Sequence, residues 1–585
     1  MKRICLLLAA LLLLCGCAGP DANTQIQVSI LEGEGFTLEQ NGLWAAPGSD
    51  VVFRLKLEPG LALAGTDYSG TVQTRVTGDW TELKLCRVRY PSRIRIRLTE
   101  DFARITYDPN GGQGELTTIV YDRSLHRRPN TENGQNLFSR EGYTLTGWNT
   151  CADGSGERIG LGSRVTAGPE GKNLYAQWEK WNPETDFTFT EGYYLTITGY
   201  HGNSDPIVIP ETIGGRTVGA IAHNAFRDCG ASHLILPPSI LQVAEGAFQN
   251  CAFESVTIFD SIEGISNSSF RNCEKLRTVR INAFEAPYGY RYRKESVYAD
   301  KVDLLIQAAG AKKLVFYGGC AAWYNLDARQ AQEALGDGYR IVNLALNGTV
   351  HSGVQLQILE AFLEPGDIFF HTPELSSDTQ MMRQIAMGRN DDKLWCGLEN
   401  NYDLVSLVDL RTVPGMLESF CAYLAGKDKA ADYAMTYLDS QGRAYLDSWG
   451  GIPFERTQSS DALSDAVYLD PDAVDEGAME RLGDYYRRFD AKGVRVYVGY
   501  ACVNLDAVPE EQQGNVQLMD TLFRQAVEAM DGPVLISRLE DYLYRNSDFY
   551  DTNYHLLSDP AERNTALWLR DLLAQMARDG LEGTA

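Results

Sequence analysis

The sequence predicts a multidomain chain: β-rich modules and a short solenoid, followed by a three-layer α/β domain on a parallel sheet. Three observations carry this. Apolar and polar residues alternate through much of residues 25–102, and a period of two is the mark of half-buried strands. A Phe-x-x-Cys unit recurs at Phe226, Phe248 and Phe270, a step of 22 residues both times. From residue 288 onward, strand-length apolar runs alternate with helix-length segments, the pattern of a parallel sheet covered by helices.

At 585 residues, 44% hydrophobic and 10% aromatic, the chain can bury several cores. The net charge is −25 with no Lys/Arg-rich run. Nucleic-acid binding is therefore excluded as a leading reading, because neutralising phosphates needs clustered cations. No cofactor signature is present, and no His/Asp cluster has metal-ligand spacing, so neither a cofactor nor a metal site is expected.

The start reads as a targeting segment. Met1-Lys2-Arg3 precedes an apolar run from Ile4 to Leu14. About 11 apolar residues are too few against the roughly 20 that cross a bilayer, so this is a secretory signal rather than a span. Leu14-Cys15-Gly16-Cys17 resembles a bacterial lipobox. The resemblance implies that residues 1–17 are a lipoprotein signal peptide, that Cys17 is lipidated, and that the mature chain is extracytoplasmic and surface-exposed, its membrane partner reached through the lipid. Residues 18–24 read as a tether. With Cys5 and Cys15 removed and Cys17 acylated, the other cysteines of the chain's 12 are widely spaced and lack any C-x-x-C pair. A disulfide framework or zinc site does not fit.

Residues 25–102 read as a small β domain. Gln25–Ile30, Val51–Leu57 and Arg93–Leu98 alternate, broken by Pro47-Gly48 and Pro59-Gly60. Residues 103–180 carry an ordered set: Ile105 to Gly112 with Asp-Pro-Asn-Gly-Gly, then Gly142 to Trp148, then Asn173 to Trp178. Asn110-Gly111 suits a tight turn with positive φ, and Trp148 and Trp178 can supply a core. The set resembles the internalin-type B-repeat (Listeria–Bacteroides repeat), which implies an extracellular β-grasp-like module acting as a spacer or adhesive unit. No catalytic role is read for His126 or Cys151.

Residues 185–285 are the repeat array. Short apolar strands at Ile207–Ile209, Leu234–Leu236 and Val256–Ile258 separate the Phe-x-x-Cys units. Each repeat then adds a strand and a turn to a shared core, and Phe and Cys form stacked ladders rather than metal sites. The pattern resembles the bacterial surface leucine-rich repeats of the BspA/Treponema type, with about three full repeats. A spacer or docking element is expected, and a host or cell-surface protein ligand stays open.

Residues 288–585 form the α/β domain. Strands are read at Lys313–Tyr317, Arg340–Leu346, Gly366–His371, Val494–Val498 and Pro533–Ile536. Helices are read from near Asp327, near Val354–Leu363, at Gly477–Ala491 and at Asn515–Met530. In parallel sheets ligands bind beyond the carboxyl ends of the strands. Gly318-Gly319-Cys320 follows the first strand, Asn343-x-Ala345-x-Asn347-Gly348 ends the second, and Asp551-Thr-Asn-Tyr-His555 precedes the last helix. This order resembles the SGNH/GDSL-type hydrolase superfamily, especially its extracytoplasmic branch acting on acyl groups of surface polysaccharides, and implies an SGNH/flavodoxin-like fold.

By that resemblance Cys320 is the nucleophile, His555 the general base and Asp551 its orienter. The N–H groups of Cys320 and Ala345 face the oxyanion, with Asn347 and Gly348 beside them. Cys320 stands where the family has Ser; a thiolate is itself a good nucleophile. Ala345 stands where Gly is usual. Thr372-Pro373-Glu374 replaces the Gly-x-Asn-Asp block, and the Asp-to-His spacing is one residue longer than the commonest form. The implied function is hydrolysis or transfer of an acyl ester on extracellular or cell-wall carbohydrate. The alternative is a non-catalytic adhesin or glycan-binding protein with a degenerate hydrolase domain. His351 and His371, also near strand ends, are further candidates to line the site. Trp323 and Tyr324 either line a pocket or pack on the sheet, and Glu374 either binds substrate or is solvated.

Overall fold

The computed structural model describes residues 25–66, 68, 72–123, 131, 137–283, 297–346, 352–375, 392–399, 401–413, 415–427, 446–452, 455–459, 466–471 and 476–581. The expected signal segment with Cys17, and Asn347, Gly348, His351 and His126, lie outside the described residues. The chain divides into two compact units: residues 1–109, 115–125 and 167–175, and residues 110–114, 126–166 and 176–585.

In the first unit, Ser49–Leu57 pairs antiparallel with Trp80–Val88, which pairs in turn with Val72–Thr77. The expected alternation holds: Val51, Phe53 and Leu55 point inward onto Ile26, Val28, Leu83 and Leu85. The stretch expected as one strand at 93–98 is two. Ser92–Ile94 runs parallel to Ile26–Ile30, while Ile96–Thr99 turns away to pair antiparallel with Ala62–Thr66. A break at Arg95 lets one run of sequence serve two sheets. The expected division at 102/103 falls at the head of a strand, Phe102–Asp108, which pairs with Thr117–Asp122 and with Lys172–Tyr175 of the same unit.

The second unit opens with the strand Tyr143–Asn149, paired with Arg158–Ile159. Trp148 is fully buried, its ring 5.9 Å from Phe138, while Trp178 is half-buried. Asn110 and Gly111 have φ of 45° and 84°, the turn geometry their sequence predicts. The Asn110 amide donates to the carbonyls of Ala152 and Ala176.

The repeat array stacks four parallel strands: β1 (Ile207–Val208), β2 (His233–Ile235), β3 (Ser255–Phe259) and β4 (Thr278–Asn282). The last of these follows the final Phe-x-x-Cys unit and was not evident from the repeat step. The Phe226, Phe248 and Phe270 rings stack with centroids 5.3 and 4.9 Å apart. The Cys251 and Cys273 thiols donate to the carbonyls of Phe226 and Phe248, one repeat back. The cysteines therefore hydrogen-bond and pack between repeats, and among the described residues no group of side chains could hold a metal ion.

The third part of this unit is an α/β domain. In chain order come α1 (Val297–Gln307), β5 (Lys313–Gly318), α2 (Cys320–Asn325), α3 (Ala328–Leu335), β6 (Arg340–Asn343), α4 (Ser352–Phe362), β7 (Ile368–Thr372), α5 (Asp392–Leu398) and α6 (Met416–Lys427). Then follow α7 (Glu476–Ala491), β8 (Arg495–Val498), α8 (Asn515–Glu528), β9 (Val534–Leu535) and α9 (Ser558–Arg578). The sheet order is β6-β5-β7-β8-β9, all parallel. Counted along the chain this is 2-1-3-4-5, a doubly wound order whose switch point lies between β5 and β7. Every residue of β5 and β7 is buried, as expected for strands covered on both faces. The helix expected from near Asp327 is α3, which Asp327 caps by accepting from the Gln330 N–H at 2.9 Å; a further short helix, α2, precedes it and starts at Cys320 itself.

The array and the α/β domain share one core. Phe187 and Tyr200 pack on Phe226 at the first repeat, and Leu394, Trp395, Leu417 and Phe420 of α5 and α6 belong to the same apolar cluster as Phe270. Glu418 accepts from the Asn267 N–H, and the Cys421 thiol donates to the Ile265 carbonyl. The inserted helices thus close the last repeat, whose apolar end would otherwise face water. The loop after Arg158–Ile159 also docks here. Leu161 N–H donates to Asn282, and Gly160 N–H to Asp403. The fully buried Arg164 guanidinium lies 2.6 Å from Asp300 and 2.5 Å from Asp303 on α1.

Candidate functional site

The site lies at the carboxyl ends of β5 and β7, on either side of the switch point. β5 ends in Gly318-Gly319, and α2 begins at once with the half-buried Cys320. No side chain fits at Gly319: a Cβ there would come within 2.5 Å of Glu374 Oε1 and 2.6 Å of Oε2. The Glu374 carboxyl therefore lies flat against the residue preceding Cys320. Its Oε1 accepts from the Ala321 N–H at 2.8 Å and faces the Cys320 thiol at 3.6 Å. Among the described residues its Oε2 has no hydrogen-bond partner. Glu374 is buried rather than solvated, and burial pushes its carboxyl pKa up against the opposing pull of these two donors. A neutral carboxyl is the form that such a place favours.

The histidine arrives on a tight loop before α9. Phe549 and Leu556 bridge antiparallel, and the Tyr550 N–H donates to the His555 carbonyl at 2.7 Å. His555 Nδ1 is 2.6 Å from Asp551 Oδ1. A ring nitrogen bonded to a carboxylate carries the proton, which leaves Nε2 as the basic nitrogen. The His555 ring lies flat on Tyr324, centroids 3.5 Å apart and 5° between planes. Tyr324 is four residues after Cys320 on α2 and so shares its face of the helix, leaning back toward it. His555 is thereby held against α2 at Tyr324.

Two residues that sequence reasoning missed fix this arrangement. Asn325, the last residue of α2, accepts from the Leu556 N–H at 2.8 Å and donates to the Tyr554 carbonyl at 2.9 Å. It clasps the main chain on both sides of His555. Arg456 donates to the carbonyls of Tyr324 and Leu556 at 2.7 and 2.8 Å. Asn325 had a faint signal, a buried amide closing an otherwise apolar helix. Arg456 had none, because it comes from a loop remote in sequence.

Ala345 does not serve as expected. Its N–H donates to Asn343 Oδ1 at 3.1 Å, and its carbonyl accepts from the buried Lys301 ammonium at 2.5 Å. Both main-chain groups are engaged internally, so the N–H is not presented to an oxyanion. Desolvation holds the Lys301 pKa well below its usual value, with Asp447 opposing, and its ammonium sits 4.4 Å over the Trp323 ring. Trp323 thus packs inside the domain. His371 does not line the site either. It is buried among Tyr317, Phe369 and Tyr486, with Nδ1 2.6 Å from the Tyr486 hydroxyl, and burial lowers its pKa to about 3.

Residues 204–290 match the family described as BspA type leucine rich repeat region, in six copies, against the three repeats legible in the sequence. The array is therefore of the BspA leucine-rich-repeat type. Two curated proteins of Evansella cellulosilytica also resemble the chain. One, named as a Gly-rich membrane protein, is 41% identical over 73 residues, 12% of this chain and 8% of its own; the other, named as a membrane protein, is 40% identical over 78 residues, 13% and 11%. The chain spans about a tenth of the length of these curated relatives. Among solved structures, the leucine-rich repeat protein of T. pallidum is 15% identical, covering 29% of this chain and 86% of its own with a TM-score of 0.13. Among the described residues no helix is long and apolar enough to cross a membrane.

Proposed function

We propose that the chain is a surface lipoprotein, anchored through Cys17, whose C-terminal domain is an SGNH-type hydrolase acting on acyl esters of extracellular or cell-wall carbohydrate. The observation that carries this reading is the His555–Asp551 pair, stacked on Tyr324 of the helix that Cys320 begins. The 2-1-3-4-5 sheet, with Cys320 and Glu374 flanking its switch point, supports it. In the reaction, His555 Nε2 takes the thiol proton as the Cys320 sulfur bonds to the acyl carbon, and the carbonyl electron pair moves onto oxygen. Collapse expels the sugar alkoxide, which takes the proton from His555. Water then cleaves the thioester with His555 again as base, or a second hydroxyl does so in a transfer. Asp551 keeps the imidazole in the required tautomer. A second reading, a binding protein built on a degenerate hydrolase domain, draws on the engaged N–H of Ala345.

Alkylation of Cys320 by iodoacetamide in the full chain, followed across pH by peptide mass spectrometry, separates the two. An apparent pKa well below the free value of about 8.5, lost in His555→Ala, is the expected result. A slow rate indifferent to His555 would overturn the hydrolase reading in favour of the binding protein.

A further inference from the structure

We propose that Glu374 is the oxyanion donor of this site: as a neutral carboxyl, it offers the proton on Oε2 to the acyl oxygen as charge develops there. The inference rests on the acyl-transfer reading above and names a side-chain donor to stand beside the expected Cys320 N–H, since the Ala345 N–H is taken by Asn343.

Four features of the carboxyl point to this role. It is buried, and the donors that act on it are the Ala321 N–H and the Cys320 thiol. The titratable groups facing it are the thiols of Cys320, on α2, and Cys502, after β8. A carboxylate there would oppose formation of the Cys320 thiolate, because two like charges in one buried site are not both formed. A carboxylic acid carries no such penalty. Next, Oε1 already accepts from Ala321 N–H and faces the Cys320 thiol, so a proton on the carboxyl belongs on Oε2. That Oε2 is buried with no acceptor among the described residues, which is costly for an idle donor. Finally, both oxygens lie against Gly319, beside the backbone of the nucleophile, where the acyl oxygen of a substrate attacked by Cys320 must come. During attack the new bond is S–C, the broken one is the carbonyl π bond, and Glu374 shares its proton with the resulting alkoxide without surrendering it. Reformation of the C=O then expels the leaving group.

The test compares two reactions of the same thiol in the full chain. Hydrolysis of p-nitrophenyl acetate develops an oxyanion; alkylation by iodoacetamide does not. Glu374→Ala is expected to lower kcat/KM for the ester by about 10²–10³ while changing the alkylation rate of Cys320 less than about threefold. Glu374→Gln, whose amide N–H is still a donor, is expected to retain activity within about tenfold. It should also lose the part of the alkaline decline that comes from ionising Glu374. If Glu374→Ala slows both reactions alike, the carboxyl tunes or positions the thiol, and the oxyanion role is overturned. It is likewise overturned if neither reaction changes, or if Glu374→Gln is as inactive as Glu374→Ala. A wild-type protein that alkylates slowly and does not cleave the ester would instead sink the hydrolase reading itself, and this inference with it.

Discussion

Two buried titratable residues at the end of one strand, His371 and Glu374, show how much the immediate surroundings decide. Sequence position alone made both candidates for the site. His371 ends up between aromatic rings with one hydrogen bond to Tyr486, and its pKa falls to about 3; three residues later, Glu374 reaches the backbone beside Cys320. The lowered pKa has a consequence for stability. Between the unfolded value near 6.5 and about 3, the unfolded chain binds a proton that the folded chain refuses, so stability present above pH 6.5 is lost as pH falls through this window. Urea midpoints for wild type and His371→Gln at pH 7 and pH 4 check this. The comparison should shift toward the variant at pH 4 by about 2–3 kcal/mol, whereas an unchanged gap would mean that native His371 takes up the proton. The candidate residues Cys320, Asp551 and His555 were legible because they head or end elements, in an order that resembles a known family. Asn325 and Arg456 were not, and Glu374 was legible as a candidate without its contacts, because these arise only when segments more than 50 residues apart along the chain meet.

At the scale of elements, periodicity was readable and closure was not. The 22-residue step gave the array and its stacked Phe226, Phe248 and Phe270. It could not give the helices that cover the last repeat, since α5 and α6 lie more than 100 residues beyond Phe270 in a separate stretch of sequence. In the α/β domain the five strands and the four helices read between them fell close to their predicted places, because continuous apolar runs mark strands buried on both faces. The short helix α2 was missed, because its 6 residues are too few to show a helical period. The ladder should behave as core. Phe248, fully buried with rings packed on both sides, is expected to cost about 3–5 kcal/mol when cut to Ala, read as a fall in the urea midpoint. A loss under 1 kcal/mol would show that the neighbouring repeats close the gap.

For the second unit as a whole, the array is not an independent rod. Its core is continuous with that of the α/β domain, and the Arg164–Asp300–Asp303 cluster ties the 158–166 loop to α1. Replacing Arg164 with Met removes the guanidinium from two buried carboxylates and is expected to cost about 3–5 kcal/mol. Unfolding followed by tryptophan fluorescence and by far-ultraviolet circular dichroism should move together. Separate transitions would show that array and α/β domain fold apart. The same chain that docks at the last strand, through Leu161 to Asn282 and from Asn282 to Thr146, also holds the first, where Asn182 exchanges hydrogen bonds with Val208. It spans the array like a strap with both buckles fastened. Each duplicated repeat would push those ends apart by about one strand spacing, roughly 4.8 Å, and one buckle would have to open. Open-ended repeat arrays drift in copy number over evolutionary time; in this one, gain or loss of a single unit would have to be matched by a change in the strap.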